Sequence, residues 1–170
     1  MEWMQLAPEP VRSNGRNQIT IVPYESKYRA AFRKLNEEWL NFYMEVEPED
    51  ERVLSDPEGA ILAPGGVIVL ALANGVPVGT GALINEGDGK FELAKMAVTA
   101  AYRGRGIGRQ VAERLIAIAK GLGAREVELV SARLLPAATP LYRKLGFREI
   151  PLGENPYTRA DIRMTLELTD

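Results

Sequence analysis

Apolar residues run together or alternate where strands are expected, and recur every three or four positions where helices are. Ile19 to Val22 is a β-branched run closed by Pro23, which predicts a first strand. From Glu25 to Tyr43, residues Tyr28, Phe32, Leu35, Trp39 and Phe42 mark one apolar stripe of a helix. Pro48 opens a short acidic segment through Leu54, ended by Asp56-Pro57. Val67 to Ala73 predicts a strand, Asn74-Gly75 a hairpin turn, and Val76 to Ile84 the returning strand. After a turn over Asn85 to Gly89, Phe91 to Val98 completes an antiparallel meander. The period then lengthens. Gly108 to Lys120 reads as a helix with Val111, Leu115, Ile118 and Leu122 on one face, and Gly121 or Gly123 closes it. Strand Val127 to Val130, helix Ala137 to Leu145, and strands Phe147 to Ile150 and Ile162 to Leu168 follow, with a loop over Pro151 to Thr158. A meander followed by alternating strands and helices predicts an α/β, mixed-sheet domain with helices packed on it.

The chain of 170 residues suits one domain with one sizeable core. Residues 1–17 carry Pro8, Pro10, Ser13, Asn14 and Gly15 and read as a flexible arm, and 18–170 as the domain. Composition narrows the chemistry sharply, because the chain has no cysteine and no histidine. Disulfides, thiol nucleophiles and Ser-His-Asp triads are excluded, and no metal site is expected. Acid–base work falls to Asp, Glu, Tyr, Lys or water. The formal net charge of −2 argues against a molecule built to neutralise nucleic acid. No apolar run approaches the roughly 18 residues of a membrane span, and the N-terminus lacks the pattern of a secretory signal. A cytoplasmic protein without membrane attachment is expected.

The most informative segment lies between strand Phe91–Val98 and the helix near Gly108. Gly104, Gly106 and Gly108 alternate there with Arg103, Arg105 and Arg109. Glycine lets backbone amides approach a ligand and permits positive φ. A helix N-terminus adds unpaired N–H groups and the positive end of its dipole. Together these predict an anion site suited to a pyrophosphate, against the alternative of a solvated turn with surface arginines. No Lys-Ser/Thr pair follows, so this is not a P-loop, and Arg109 stands where a dinucleotide fingerprint starting at Gly104 needs glycine.

With Glu92-Leu-Ala-Lys-Met-Ala-Val98 ahead of it, Arg103-Gly-Arg-Gly-Ile-Gly108 resembles the Arg/Gln-x-x-Gly-x-Gly/Ala motif of the GNAT superfamily of N-acetyltransferases. Leu141-Tyr-Arg-Lys-Leu-Gly-Phe147 resembles the late helix-to-strand segment of that family, and the likeness spans roughly Ile19 to Leu168. The resemblance implies a mostly antiparallel, twisted sheet of six to seven strands flanked by about four helices. It implies acetyl-CoA, or another acyl-CoA, as acyl donor in a cleft where strands Phe91–Val98 and Val127–Val130 splay. Backbone at Met96, Ala97 and Val98 would hold the pantetheine arm and acetyl group. Amides from Arg103, Gly104, Arg105, Gly106, Ile107 and Gly108 would hold the pyrophosphate, with a side-chain contact from Arg109. Many members carry Asn seven residues before the motif Tyr, whereas Leu135 stands here.

The resemblance makes Tyr142 the expected general acid beside the thioester sulfur, against simple packing. Glu92 is the expected base, against a solvent-facing strand carboxylate or a relay of water and backbone. Ideal alternation puts Glu92 with Ala94 and Met96 on one face, unless a bulge intervenes. Lys95 either touches the acceptor or snorkels to solvent. The acceptor side is expected from the first helix, the acidic segment and the Pro151–Arg159 loop. Trp39, Tyr43 and Glu47 are candidates there, with Glu49, Asp50 and Glu51 for a cationic amine, and Arg133, Tyr157 and Arg159 for a carboxylate. The expected activity is acetyl transfer from acetyl-CoA to a primary amine of a small molecule or peptide, by direct attack in a ternary complex. The alternative is a non-catalytic acyl-CoA sensor on the same fold. A homodimer is left open.

Overall fold

A computed structural model of the chain describes residues 10–11 and 18–168. One sheet runs through the molecule in the order β1-β2-β3-β4-β5-β6-β8-β7. Its strands are β1 (Pro10–Val11), β2 (Ile19–Pro23), β3 (Val67–Ala73), β4 (Val76–Gly87), β5 (Lys90–Val98), β6 (Glu126–Ser131), β7 (Arg148–Ile150) and β8 (Ile162–Glu167). Among the described residues only β5 and β6 pair in parallel. Four α-helices accompany the sheet among the described residues: α1 (Arg29–Tyr43), α2 (Pro48–Ser55), α3 (Ile107–Gly121) and α4 (Ala138–Lys144). The expected mixed, mostly antiparallel sheet with about four helices is therefore the observed fold. Of the expected N-terminal arm, Pro10 and Val11 pair with Thr20 and Ile19, and the rest lies outside the described residues.

β3 explains why helices cover both faces. Each of its seven residues, Val67 to Ala73, is buried. Alternate side chains enter two cores. Val67, Val69, Ala71 and Ala73 join Val111, Leu115 and Ile118 of α3. Ile68, Leu70 and Leu72 join Phe32, Leu35 and Leu40 of α1 and Val53 and Leu54 of α2. A seven-residue apolar run in a central strand has that meaning.

Several local readings need correction. The acidic segment after Pro48 is a helix, α2. Pro48 occupies its first turn, and Glu47 and Asp50 form a reciprocal capping box. The buried stripe of α1 passes through Phe32, Leu35, Asn36 and Leu40, and leaves Phe42 69% exposed. β4 continues to Gly87, so the turn into β5 is only Asp88-Gly89. β8 lies between β6 and β7, an order that strand spacing did not reveal. No helix among the described residues is long and apolar enough to cross a membrane.

Candidate active site

β5 and β6 pair only through Lys90–Glu126, Phe91–Val127 and Glu92–Glu128. Beyond Glu92 the strands part, and β6 keeps only its other neighbour, β8. The β6-facing main-chain edge of β5 from Leu93 to Val98 is thus left without a strand partner. Its other edge stays bound to β4, interrupted by one irregularity. Between Ala82–Ala94 and Thr80–Ala97, β5 carries one residue more than β4. Lys95 sits in this bulge at φ 56, a left-handed conformation rare for a non-glycine residue. Opposite lies Gly81, where a Cβ would come within 2.5 Å of Met96 Sδ and 2.7 Å of Val111. Glycine is needed there for space, because α3 packs directly across the bulge. The irregularity ends the ideal alternation that grouped Glu92, Ala94 and Met96.

The unpaired edge leads straight to the glycine loop. One helical turn, Ala100–Tyr102, intervenes before Arg103. Gly104 and Gly106 have φ 75 and 79. A Cβ on either would meet nothing within 4 Å, so backbone conformation rather than crowding demands glycine. Gln110 is the first residue of α3 whose amide finds a helical acceptor, the Gly106 carbonyl. The amides of Gly104 to Arg109 have no main-chain acceptor among the described residues. No acidic side chain occupies the first turn of α3, and Gly106 provides no side-chain cap. Strand edge and helix end thus offer two stretches of unpaired main-chain groups, separated by the hydrogen-bonded turn from Thr99 to Arg103.

A cleft of about 400 Å³ borders both stretches. It is lined by Met96, Ala97 and Val98, by Arg103, Gly104, Gly106, Ile107, Gly108 and Arg109, and by Glu92 and Tyr142. Arg105 is not among its lining residues, and its guanidinium lies 4.9 Å from the Tyr102 ring centre. Arg109 pairs with Glu113 at 2.8 Å along α3. The Arg103 side chain turns back onto α1. Its Nε donates to the Val98 carbonyl at 2.9 Å. Its guanidinium stands 5.1, 5.2 and 5.5 Å from the ring centres of Trp39, Phe42 and Tyr43. Glu38 of α1 also accepts from Thr99 Oγ1 and from the Ala100 amide. The loop's backbone therefore faces the cleft while Arg103 braces it against α1.

Tyr142 projects from α4 and packs against Phe147 at 5.8 Å between ring centres. Its hydroxyl has no hydrogen-bond partner among the described residues. Burial pushes its pKa up to about 12, so it is protonated at neutral pH. Burial also pushes Glu92 up to about 7. The nearby Glu86 charge and a hydrogen bond between the two carboxyls add to that rise, opposed by Lys95 and Arg163. Leu135, at the position where the resemblance led to an expectation of Asn, is buried in the cleft wall.

The end of the cleft between α2 and the 151–161 segment contains a network that the sequence did not reveal. Asp50, fully buried in α2, accepts Lys95 Nζ at 2.7 Å and two bonds from Arg159 at 2.6 and 2.9 Å. The Glu47 amide adds a fourth bond, at 2.9 Å. Burial alone would raise the Asp50 pKa, but Arg159, Lys95 and that amide outweigh it and hold it at about 2. Burial draws Lys95 below its usual value, against the pull of Asp50. Tyr157 lies between the cations: its hydroxyl is 3.0 Å from Lys95 Nζ and its ring 4.4 Å from the Arg159 guanidinium. Glu47 receives the Thr158 amide and hydroxyl as well as Arg159, and does not line the cleft. Arg133 also lies off the cleft, exposed and paired with Glu149. Of the acceptor candidates, Trp39, Tyr43, Asp50, Tyr157 and Arg159 are brought together on its wall, and Glu49 and Glu51 are not. The pattern Glu47-Pro48-x-Asp50 is a helix-start signal that would have exposed α2. No local signal announces a partner for Asp50 that lies 109 residues away. Among the described residues no cluster suited to a metal ion is present.

A family model described as "Acetyltransferase (GNAT) family" matches residues 30–147. The chain belongs to the GNAT acetyltransferase family. Solved structures share the fold. A GNAT acetyltransferase from Staphylococcus aureus is 25% identical with a TM-score of 0.81, covering 89% of this chain and 99% of its own. A putative acetyltransferase from Salmonella typhimurium, solved with acetyl-CoA, is 23% identical with a TM-score of 0.71, covering 89% and 95%. By sequence, rat N-acetylaspartate synthetase is 33% identical over 93 residues. That match covers 54% of this GNAT chain and 31% of the rat protein, so the chain spans about a third of that relative.

Proposed function

We propose that this GNAT protein is an N-acetyltransferase that carries acetyl from acetyl-CoA to a primary amine by direct attack in a ternary complex. The observation that carries the reading is the pair of unpaired main-chain stretches, on the opened edge of β5 and at the start of α3, that border one cleft with Glu92 and Tyr142. Free amides at Gly104 to Arg109 suit the pyrophosphate. Main chain at Met96, Ala97 and Val98 suits the amide-bearing pantetheine and the thioester oxygen.

Acetyl-CoA supplies the activated acyl group, and this chain's residues supply positioning and proton handling. An alkylammonium near pKa ~10 must lose a proton before it can attack. Glu92, poised at about 7, is half ionised at neutral pH and takes that proton directly or through water. Tyr142 at about 12 is a weaker acid than a thiol near ~8.5. Its hydroxyl therefore serves chiefly as a hydrogen-bond donor to the charge growing on the departing sulfur, which leaves as the thiol by taking the second proton of the attacking nitrogen through water. With no cysteine in the chain, no cysteine thioester intermediate on the enzyme is available.

Amine-dependent release of free CoA thiol from acetyl-CoA tests the activity, and two variants test the roles. Tyr142→Phe is expected to lower kcat by roughly 10- to 100-fold while leaving CoA affinity unchanged. A wild-type rate in that variant removes Tyr142 from the chemistry. A base must be ionised to work, so kcat/KM for the wild type should climb with pH and level off above about 7. Glu92→Gln should lose that limb together with roughly 100-fold of rate. Retention of the limb in the variant would assign it to another group.

A further inference from the structure

The acceptor end of the cleft gathers charged residues, yet it presents almost no free negative charge. Asp50 and Glu92 are the carboxylates on its lining. The two Asp50 oxygens take four hydrogen bonds, from Lys95, Arg159 and the Glu47 amide, which fills a carboxylate's capacity. Glu47 is similarly occupied by Thr158 and Arg159. Glu38 is spent on Thr99, Ala100 and the Arg103 side chain. Asp50 and Glu47 balance Lys95 and Arg159, so that cluster is close to neutral. Glu92 remains, and it is the proposed base. The rest of the wall carries no charge: Asn36, whose amide nitrogen is bonded to the Phe32 carbonyl, Trp39, Leu40 and Tyr43 of α1 and Met44 just after it, with Tyr157 opposite. Trp39 and Tyr43 are in ring contact at 4.4 Å.

We infer that the acceptor is a primary amine carried on an apolar or aromatic body with no second charge, and that polyamines and aminoglycosides are excluded. This inference rests on the acetyltransferase reading of the same cleft. An extra ammonium entering here would lose its water and gain no counter-ion, which is costly. An aryl or alkyl body would bury apolar surface against α1.

The test measures CoA thiol release with 2-phenylethylamine, spermidine, kanamycin and aspartate. We expect kcat/KM for 2-phenylethylamine to exceed each of the others by roughly tenfold or more, as one uncompensated charge would impose. Met44→Glu, which places a carboxylate on that uncharged wall, should shift the spermidine to 2-phenylethylamine ratio toward spermidine by roughly tenfold. Preference of the wild-type protein for spermidine, kanamycin or aspartate overturns this inference and leaves the acetyltransferase reading standing. Thiol release with none of the four overturns the inference, and extending that failure across a broad amine panel, in protein that binds acetyl-CoA, overturns the acetyltransferase reading too.

Discussion

Gly106→Glu is expected to weaken coenzyme A binding by roughly a hundredfold or more. Two physical effects combine. Gly106 holds φ 79, and a side chain in that left-handed region costs about 1–2 kcal/mol. The new carboxylate would also stand where free amides and the α3 dipole now favour an anion, and would repel a diphosphate by a similar amount. The free loop relaxes out of the strained conformation and binding must restore it, so both effects act on affinity, and together about 3 kcal/mol corresponds to the stated loss. Gly106→Ala separates the two, because a Cβ there meets nothing within 4 Å and adds no charge. Both variants should lose similar thermal stability, but CoA affinity measured by calorimetry should fall much further for glutamate. Equal affinities for the two variants would remove the loop from pyrophosphate binding.

The second large effect concerns Asp50. Its carboxylate is inaccessible to solvent and neutralises Lys95, whose side chain is 5% exposed, and Arg159, at 20%. Asp50→Ala leaves Lys95 without a counter-ion and Arg159 with Glu47 alone. Removing one partner of a buried pair costs about 3–5 kcal/mol. The partial exposure of Arg159 favours the lower figure, and the melting temperature should drop by roughly 6–12 °C. The bridge from α2 to the 151–161 segment would be weakened to the Glu47 contacts, so the acceptor KM should rise. The pH dependence has a definite sign. Asp50 sits at about 2 in the folded protein, below an ordinary carboxyl near ~4. The unfolded chain therefore binds the proton more readily. The stabilisation is complete above pH ~4 and disappears as pH falls toward ~2. The melting-temperature gap between wild type and variant should close over that interval. A constant gap would mean that packing, not charge, explains the loss.

Parts of this site were legible because their causes are local. Alternating glycines before an amphipathic stretch, with Gly104 and Gly106 in left-handed conformations, specify a loop that aims its amides outward wherever it is placed. Arg103 shows where that legibility stops. Its amide was expected among those that hold the pyrophosphate, but that amide bonds the Ala100 carbonyl, and its side chain took the aromatic surface of α1, 60 residues and more away in sequence. Arg133 and Glu47 drew attention as charges near the expected acceptor loop, and both found other partners. Lys95 was open to two readings, acceptor contact or solvent; the bulge and Asp50 turned it inward.

Taken alone, the chain's own pattern determined the strands of the meander, the helix after the glycine loop, the family and the free donors at the start of α3. Each of these depends on residues within a few turns of one another, where φ preference and apolar period act directly. Tertiary structure decided the parting of β5 from β6 after Glu92, the insertion of β8 beside β6, and the closed circuit of Asp50, Lys95 and Arg159. Those depend on which surfaces meet when two helices and a distant loop pack onto one sheet. Charges 45 and 109 residues apart are paired by that packing and by the cost of burying them alone, which no local spacing records.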